Sequence, residues 1–330
     1  MQNSFESLIR YGHVVIVQAD NPDADSLASS LALEHILEDA GQKVSMYCGV
    51  DIPAHLRYLE GWDRVSNELP KSFDASIIVD CTNVTLLEQL ERKHLLPKLT
   101  AKPVFVIDHH DSTVNLPFEH QLLLDTKAVA TGEVIYQLAN KVNLSISNKA
   151  ADMLATSIMA DSLGLSTEDV TAKSIHTLAD LVGLGANLAR LDAARRAASA
   201  KSLEVIAYKG RLLQRIEYYL DNQLAVVDIP WKEIETISPH YNPAILALEE
   251  LRFAEGVKIA VVLKNYPDGK ITGKLRCNYG SLVAGDLAAH FGGGGHAAAS
   301  GFKTHGWKAD ELKAELIKQA GVLLDAESQR

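Results

Sequence analysis

The sequence has few cysteines and no long apolar run. Its three cysteines, Cys48, Cys81 and Cys277, show no CxxC spacing, which argues against a disulfide framework or a zinc knuckle and favours a reducing compartment. No apolar run approaches the length of about 18 residues that spans a membrane. The first residues, MQNSFESLIRYGHVVIVQAD, lack the pattern of a signal peptide. We therefore expect a cytoplasmic protein with no membrane partner.

Basic residues are also in deficit, since 32 Lys and Arg stand against 42 Asp and Glu and give a formal charge of -10. Affinity for long duplex nucleic acid depends on many basic side chains that neutralise phosphates, so we do not expect that partner. A small phosphate-bearing ligand is compatible with the charge. The hydrophobic content of 47% is typical of a globular protein, and at about 150 residues per domain the 330 residues predict two domains.

The first half of the chain alternates short β-branched runs with longer amphipathic stretches. This pattern is typical of βαβ units and predicts an α/β domain over residues 1–190 with a doubly wound, mostly parallel sheet. The predicted strands are His13–Gln18, Lys43–Tyr47, Ala75–Val79 and Val104–Ile107. The main predicted helices are Ser26–Ala40, Ala130–Lys141, Asn148–Met159 and Ala172–Leu184.

The second half has a different texture. Residues 191–220 are charged and Ala-rich, and we predict a helical connector there. Residues 221–330 predict a smaller α+β domain, with a hairpin at the turn Pro267-Asp268-Gly269 and a Gly-rich loop after a helix that ends at His290. Its predicted strands are Gln223–Asp228, Val257–Leu263 and Lys270–Arg276, and its other helices are Ala244–Phe253 and Ala309–Leu324.

Acidic and imidazole side chains follow three predicted strands of the first domain. The segments VVIVQADNPDAD, SIIVD and FVIDHH end at Asp20, Asp23 and Asp25, at Asp80, and at Asp108, His109 and His110. One such aspartate is most often a helix cap or turn residue, but the carboxyl ends of parallel strands meet at one edge of the sheet. Clustered carboxylates need cations to neutralise them. Carboxylate and imidazole ligands favour manganese or magnesium over zinc, in the two-metal arrangement of phosphoryl hydrolysis.

A further acidic residue, Asp161, follows the apolar stretch 150–159 in the segment SIMAD. Taken alone, an aspartate at such a position is more often a helix-end or turn residue than a ligand. Its interest comes from the other acidic residues of the same domain.

The second domain contains the segment FGGGGHAAASG, in which Gly292–Gly295 precede His296. Consecutive glycines carry a conformational cost and indicate a close approach of backbone to a ligand, although a flexible surface loop is the alternative. Arg276 and Asn278, in LRCN, are suited to phosphate and base contacts. From 251 to 280 six basic residues accompany two acidic ones. Such lysines most often form only a solvated face.

These motifs, NPDAD, VDC, DHH and SIMAD followed by LRCN and GGGGHAAASG, resemble in order those of the DHH/DHHA1 phosphoesterase family, closest to its nano-RNase/pAp phosphatase branch. The resemblance spans about Val14 to Phe302. It implies a catalytic DHH domain with two Mn²⁺ ions, or Mg²⁺ as the second candidate, and a DHHA1 domain that holds the substrate across a cleft. By analogy alone, it also suggests a homodimer.

The resemblance also implies roles for individual residues. Asp23 and Asp25 would bind different ions, Asp80 would bridge them, and the ligands of one site would be completed by His109 and Asp161. His110 would face the scissile phosphate, with Asp80 and Asp108 also in the catalytic set. The terminal phosphate of the nucleotide would be held by Arg276, by the backbone of Gly293, Gly294 and Gly295, and by His296. Asn278 would be a further substrate-binding residue.

One position departs from the family pattern HxNPDxD, because Ala19 stands where the family usually has histidine. One ion would therefore lose an imidazole ligand. Gln18 and Asp20 flank this position and are the candidates to replace it, although adjacent strand residues point to opposite faces.

The resemblance implies hydrolysis of short single-stranded oligonucleotides, such as the dinucleotide pApA, to nucleoside 5′-monophosphates by water that two metal ions activate. Removal of the 3′-phosphate of pAp and hydrolysis of cyclic dinucleotides are alternatives within the same enzyme class. A nucleotide-binding sensor with an incomplete metal site, because of Ala19, is the non-enzyme alternative.

Overall fold

The computed structural model describes residues 2–111 and 113–329. The chain forms two compact units, Met1–Ala200 and Lys201–Arg330. The boundary lies inside residues 191–220, for which the sequence predicts a connector. Within the described residues, no helix is both long enough and apolar enough to span a membrane.

The first unit contains a six-stranded sheet in the order β3-β2-β1-β4-β5-β6, and all of its strand pairs are parallel. This order places β1 in the middle of the sheet and reverses between β1 and β4. The strands are β1 His13–Gln18, β2 Lys43–Cys48, β3 Val65–Ser66, β4 Ala75–Val79, β5 Val104–Asp108 and β6 Gln121–Leu124.

Helices cover both faces of this sheet, which confirms the doubly wound α/β class. On β1, Val14 and Ile16 pack into the core that contains α2, α5 and α6, whereas Val15 and Val17 pack into a second core with α3 and α4. This alternation follows from the two-residue period of a strand. The helices are α1 Gln2–Leu8, α2 Ala24–Asp39, α3 Glu88–Arg92, α4 Leu96–Thr100, α5 Thr131–Lys141, α6 Asn148–Asp161, α7 Ala172–Gly183 and α8 Leu188–Ala198.

The second unit contains a mixed six-stranded sheet in the order β11-β12-β10-β9-β8-β7. The pairing of β8 with β9 is parallel, and the other pairs are antiparallel. Its strands are β7 Glu217–Tyr219, β8 Leu224–Ile229, β9 Ile259–Asn265, β10 Ile271–Cys277, β11 Gly294–His296 and β12 Ala299–Thr304. Its helices are α9 Leu203–Leu213, α10 Trp231–Ile237, α11 Pro243–Leu251, α12 Ala284–His290 and α13 Ala309–Ser328.

Two apolar cores lie on the faces of the second sheet, one with α12 and α13 and the other with α9, α10 and α11. The Gly-rich segment differs from the predicted loop, because Gly294–His296 pair with β12 as the short strand β11. Glycine has a low strand propensity, and here tertiary pairing overrides it. The predicted hairpin at Pro267-Asp268-Gly269 joins β9 and β10.

Candidate active site

The polar residues of the first unit meet where the strand order reverses. The strands β4 and β1 are neighbours, β5 lies beside β4, and all three run in the same direction. Their carboxyl ends therefore lie side by side at the edge where ligands bind in open parallel sheets. Asp25 lies in the first turn of α2, shortly after β1, Asp80 follows β4, and His109 follows β5.

His109 lies among three carboxylates. Its Nε2 is 3.7 Å from Asp25 Oδ2, 3.8 Å from Asp80 Oδ1 and 3.3 Å from Asp161 Oδ2. Its Nδ1 is 3.2 Å from the carbonyl oxygen of Ala128. Because a carbonyl can only accept, Nδ1 carries a proton, and Nε2 is the ring nitrogen that faces the carboxylates.

Asp25 is buried and fully engaged by donors from three helices. Its Oδ2 accepts a hydrogen bond of 2.9 Å from the backbone N–H of Thr131, at the start of α5. Its Oδ1 accepts from the hydroxyls of Ser29 at 3.0 Å and Ser157 at 2.5 Å. Gly132 permits this packing, since a Cβ atom there would lie 2.2 Å from Ser157 Oγ. The carboxylate therefore has a fixed orientation.

Asp80 combines unusual backbone and electrostatic features. Its φ of 58° lies in the left-handed region, which asparagine and aspartate tolerate better than most residues. Its Oδ1 accepts a hydrogen bond of 3.0 Å from Thr131 Oγ1. Burial, followed by the charges of Asp25, Asp23 and Asp108, raises the pKa of Asp80 well above its ordinary value. A buried carboxylate among like charges favours a cation as its partner.

Asp161 is the last residue of α6 and is partly exposed. Burial and the charge of Asp25 raise the pKa of its carboxyl group. The sequence left Asp161 as either a helix-end residue or a ligand, and the structure places it at the helix end and beside His109 at once.

The second histidine of the pair, His110, is oriented by Asp108. Its Nδ1 donates to Asp108 Oδ1 at 2.7 Å, and the same oxygen accepts from the backbone N–H groups of His109 and His110. This bond raises the pKa of His110, with burial opposing the shift. Burial alone would raise the pKa of Asp108, but the hydrogen bonds from His110 and the amides outweigh it and lower the pKa. The His110 side chain is 53% exposed, so its other nitrogen is accessible to a ligand.

The described residues contain two groups of three possible metal ligands, and in each group the ligand atoms lie within 4.8 Å of one another. One group is Asp25, His109 and Asp161, and the other is Asp80, His109 and His110. Asp23 lies outside both groups. Its exposed side chain caps α2, where Oδ1 accepts a hydrogen bond of 2.9 Å from the backbone N–H of Ser26.

These residues fit a divalent cation. Nε2 of His109 is buried and, among the described residues, has no hydrogen-bond partner. A buried imidazole nitrogen that has no hydrogen-bond partner and is surrounded by carboxylate oxygens has the chemistry of a metal ligand. The nitrogen and oxygen donor set suits manganese and magnesium.

The residues beside Ala19 have different environments. Asp20 Oδ2 accepts a hydrogen bond of 2.8 Å from the backbone N–H of Gln89, in the first turn of α3, so its carboxylate is engaged there. Gln18 is fully buried, and neither polar atom of its amide has a hydrogen-bond partner among the described residues. By strand alternation Gln18 faces the same side of the sheet as Ile16, which is the side of α2 and Asp25.

Sequence reasoning missed the donors that support the acidic cluster. Thr131 binds Asp25 through its amide and Asp80 through its hydroxyl, and Ser157 binds Asp25 from α6. Of these donors, only Ser29 could have been predicted from the sequence, because it lies four residues after Asp25 and therefore on the same side of α2. The other contacts join distant parts of the chain.

In the second unit, Arg276 and Asn278 lie at and just after the end of β10. The Arg276 side chain is half-buried, and its Nη1 donates to the carbonyl of Leu275 at 2.9 Å. The Asn278 amide nitrogen donates to the carbonyls of Leu251 and Val257 at 2.9 and 2.7 Å. The amide of Asn278 therefore holds the backbone between α11 and β9, while its Oδ1 has no partner among the described residues.

The three glycines directly before His296 differ in whether the fold requires glycine at their positions. A Cβ atom at Gly293 would lie 2.3 Å from the carbonyl oxygen of Gly301, and Gly295 has a φ of 139° with β12 close by. Gly294 has no positive φ and nothing within 4 Å of its Cβ position. The fold therefore does not demand glycine at 294. Gly294 and His296 are both exposed.

Comparisons with known proteins match each unit to a different domain. Residues 13–158 match the N-terminal domain of the DHH family, and residues 237–321 match the DHHA1 domain. The bifunctional oligoribonuclease and PAP phosphatase NrnA of Thermus thermophilus is 24% identical over 308 residues, which cover 93% of this chain and 89% of that protein.

Solved structures show the same fold at low sequence identity. An exopolyphosphatase-related protein from Bacteroides fragilis has a TM-score of 0.80 at 20% identity, with coverage of 98% of this chain and 97% of that chain. RecJ in complex with Mn²⁺ from Thermus thermophilus has a TM-score of 0.53 at 18% identity, with 97% of this chain covered but only 54% of RecJ. With a DHH domain in its first unit and a DHHA1 domain in its second, this chain belongs to the DHH/DHHA1 family.

Proposed function

We propose that this protein is a metal-dependent phosphoesterase that hydrolyses short single-stranded oligonucleotides to nucleoside 5′-monophosphates. The observation that carries the proposal is the buried, unpartnered Nε2 of His109 among the carboxylates of Asp25, Asp80 and Asp161. The oligoribonuclease activity in the name of the Thermus relative supports the substrate class. The net charge of -10 favours small substrates over long chains.

We assign metal binding to Asp25, Asp80, His109 and Asp161, with Asp23 as a further ligand from the α2 cap. Two divalent cations, manganese before magnesium, would supply a nucleophilic water at neutral pH and offset negative charge on the phosphoryl group. The Mn²⁺ in the RecJ structure supports this choice of metal. The Ala128 carbonyl fixes the tautomer of His109, so that Nε2 stays available.

His110 is assigned to the phosphate. Asp108 holds the imidazole through Nδ1, and the raised pKa of His110 keeps the ring protonated closer to neutral pH. The exposed nitrogen can then donate its proton to the leaving 3′-oxygen as the phosphorus–oxygen bond breaks. In the second unit, Arg276 and the exposed Gly294 and His296 would hold the terminal 5′-phosphate.

A substrate panel tests this function. Protein with Mn²⁺ should release AMP from pApA, and Asp80→Asn should reduce the rate by two orders of magnitude or more, as loss of a group that organises the reacting charge does. Asp39→Asn, at the exposed far end of α2, is the matched control and should behave as wild type. Absence of AMP with both the wild type and the variant would reject the proposal.

Removal of the 3′-phosphate from pAp is the second candidate, because the Thermus relative is also named a PAP phosphatase. Both reactions break a phosphate ester at the 3′-oxygen of a nucleotide that carries a 5′-phosphate, so one site can serve both. The same panel therefore includes pAp, with inorganic phosphate as the product measured, and a cyclic dinucleotide, which has no terminal phosphate.

The sensor alternative is tested by metal content. Two Mn²⁺ ions per chain support the enzyme. One ion or none, with tight nucleotide binding and no turnover, would favour a sensor in which Ala19 leaves the site incomplete.

A further inference from the structure

One short segment of the first unit, residues 128–133, supports the candidate metal site and is called here the supporting segment. Its backbone and one hydroxyl group contact three of the candidate metal ligands, which are Asp25, Asp80 and His109. The carbonyl of Ala128 lies 3.2 Å from Nδ1 of the histidine. Thr131 donates to the two aspartates, through its N–H at 2.9 Å and through its hydroxyl at 3.0 Å. The conformation of the supporting segment therefore decides how three ligands are oriented.

The helix α5, which begins inside the supporting segment, has no cap from the side chain of its N-cap residue. That residue is Ala130, which offers no side-chain oxygen to the first N–H groups of the helix. These N–H groups bind the site instead. The first belongs to Thr131 and donates to Asp25. The second belongs to Gly132 and donates to Ser157 Oγ at 2.9 Å. The residues just before α5 must therefore be fixed by another contact.

Glu133 provides this contact. Its side chain is completely buried, and Oε2 accepts a hydrogen bond of 3.0 Å from the backbone N–H of Val129. Glu133 is the third residue of α5 and reaches back over the start of the helix, much as the glutamate of a capping box does. The N–H of Val129 and the carbonyl of Ala128 belong to one planar, trans peptide unit, so the two groups point in opposite directions. Fixing the N–H on Glu133 therefore directs the carbonyl toward His109.

The burial of Glu133 is costly. Among the described residues its carboxylate forms no ion pair, and its donors are the N–H of Val129 and, at 3.5 Å, Nε2 of Gln137. A carboxylate removed from water and from cations loses more free energy of solvation than neutral hydrogen bonds return. The field at the N-terminus of α5 offsets only part of this loss. The fold thus accepts a cost at Glu133, next to residues that orient the metal ligands.

We propose that Glu133 is a positioning residue of the metal site, which acts through the peptide unit of Ala128 and Val129 to hold the His109 ring with Nε2 directed at the cation. Glu133 belongs to neither group of possible metal ligands, so its effect is transmitted by the backbone. The inference rests on the proposed function, because it needs His109 as a metal ligand. It goes beyond that function by assigning the orientation of the ring to a residue outside the ligand set.

The first measurement is metal affinity. Glu133→Met keeps a buried, unbranched side chain of similar length and removes the acceptor, so the N–H of Val129 loses its partner. Calorimetry on the full chain should show Mn²⁺ binding weakened by about tenfold or more, the usual effect of losing a group that orients a histidine ligand.

The second measurement follows the ring itself. Zn²⁺ is diamagnetic and accepts the same nitrogen and oxygen ligands, so it permits NMR of the loaded protein. In the wild type, the Nδ1–H proton of His109 should give a sharp resonance, because a hydrogen-bonded, buried proton exchanges slowly with water. In Glu133→Met the resonance should be broadened by exchange. A spectrum of His109→Gln identifies the signal.

Two variants serve as controls. Glu133→Gln keeps an acceptor oxygen at the same reach and should retain the Nδ1–H resonance and a Mn²⁺ affinity within about threefold of the wild type. Asn187→Ala removes a cap bond of 3.0 Å to Arg190 at the start of α8. The N–H of Asn187 contacts Asp152, which lies nine residues, or about 13 Å along α6, before Asp161. This variant should lower the melting temperature and leave both measurements unchanged.

Glu133→Asp provides the same test if Glu133→Met does not fold. It keeps the charge but shortens the side chain by one methylene, so its carboxylate should not reach Val129. Mn²⁺ affinity should fall and the Nδ1–H resonance should broaden as in Glu133→Met.

Wild-type Mn²⁺ affinity with a sharp Nδ1–H resonance in Glu133→Met would overturn the inference. An equal loss in Glu133→Gln would do so too, since charge and not the hydrogen bond would then be the cause. An equal loss in Asn187→Ala would point to general destabilisation. Binding of Mn²⁺ without release of AMP from pApA would reject the proposed function alone, because neither measurement follows hydrolysis.

Discussion

At the scale of single residues, Asp80 carries several costs at once. It has left-handed backbone, it is buried, and its pKa is raised by desolvation and by neighbouring carboxylates. Strained and desolvated residues of this kind concentrate at functional sites, where the requirements of function lower the stability of the fold. The metal-free protein should therefore be less stable than its core alone would suggest.

Asp80→Asn should stabilise the metal-free protein at pH 7 while it removes activity. Asparagine tolerates the same φ and can accept the same bond from Thr131, but it carries no charge. We expect the free energy of unfolding to rise by about 0.5–2 kcal/mol, the usual range for a stabilising substitution. Chemical denaturation in EDTA measures it, and a decrease would contradict the prediction.

The same variant has a defined pH dependence. Folding raises the pKa of Asp80 above its ordinary value of 3.8, so the folded state binds the proton more tightly than the unfolded chain. Wild-type stability should therefore fall as the pH rises through the interval between the two pKa values, and be regained on acidification through it. The difference between wild type and Asp80→Asn should shrink toward pH 4. A constant difference would show that charge is not the cause.

Gln18 offers a second test at this scale. A buried amide without partners costs about 1–3 kcal/mol, so Gln18→Met should stabilise the metal-free chain. If the amide serves the metal centre, as its face of β1 suggests, the same variant should also bind Mn²⁺ more weakly in calorimetry. Stabilisation without any change in Mn²⁺ affinity would contradict this use of the amide.

At the scale of elements, the segment that leads into the hairpin of β11 and β12 contains glycines that the fold requires, Gly293 and Gly295, and one that it does not require, Gly294. Gly293→Ala would place a Cβ 2.3 Å from a carbonyl oxygen of β12, and we expect it to destabilise the protein by about 1–3 kcal/mol. Gly294→Ala should leave the melting temperature unchanged and weaken the binding of 5′-phosphorylated substrate. Unchanged KM in Gly294→Ala would contradict a ligand at this strand.

The elements themselves were largely predictable. The short β-branched and apolar runs predicted the strands β1, β2, β4 and β5. The aspartates that follow β1 and β4 and end β5 predicted which residues lie at the edge of the sheet. Sequence reasoning missed β6, whose segment QLLL is short and carries no period. It also read Gly294–His296 as a loop, since only the pairing with Ala299–Thr304 makes that segment a strand.

The support of the site was much less predictable. Residue type and strand order were sufficient to bring Asp25, Asp80 and His109 together, because parallel strands end at one edge. The donors at Thr131 and Ser157 depend on how α5 and α6 pack on α2, which no local pattern encodes. The direction of Asp20, toward α3 and away from the cluster, depends on the same kind of tertiary packing.

At the scale of the whole molecule, the cation should stabilise one unit only. Mn²⁺ at about 100 times its dissociation constant adds about 2.7 kcal/mol to the stability of the state that binds it. Hydrogen exchange should show increased protection in the segments that contain Asp25, Asp80, His109 and Asp161, with residues 201–330 unchanged. Equal protection of both units would contradict a cation site confined to the first.

The long sequence separations within the cluster also set an order of events during synthesis. Ser157 and Asp25 lie 132 positions apart, and Thr131 and Asp25 lie 106 apart. Domains fold as units as they emerge from the ribosome, and non-local contacts form late. A nascent chain that ends before Ser157 lacks both the serine that orients Asp25 and the last carboxylate, Asp161. A cation bound by these residues would therefore not template the early folding of this protein, and we expect it to bind only after the end of α6 has emerged.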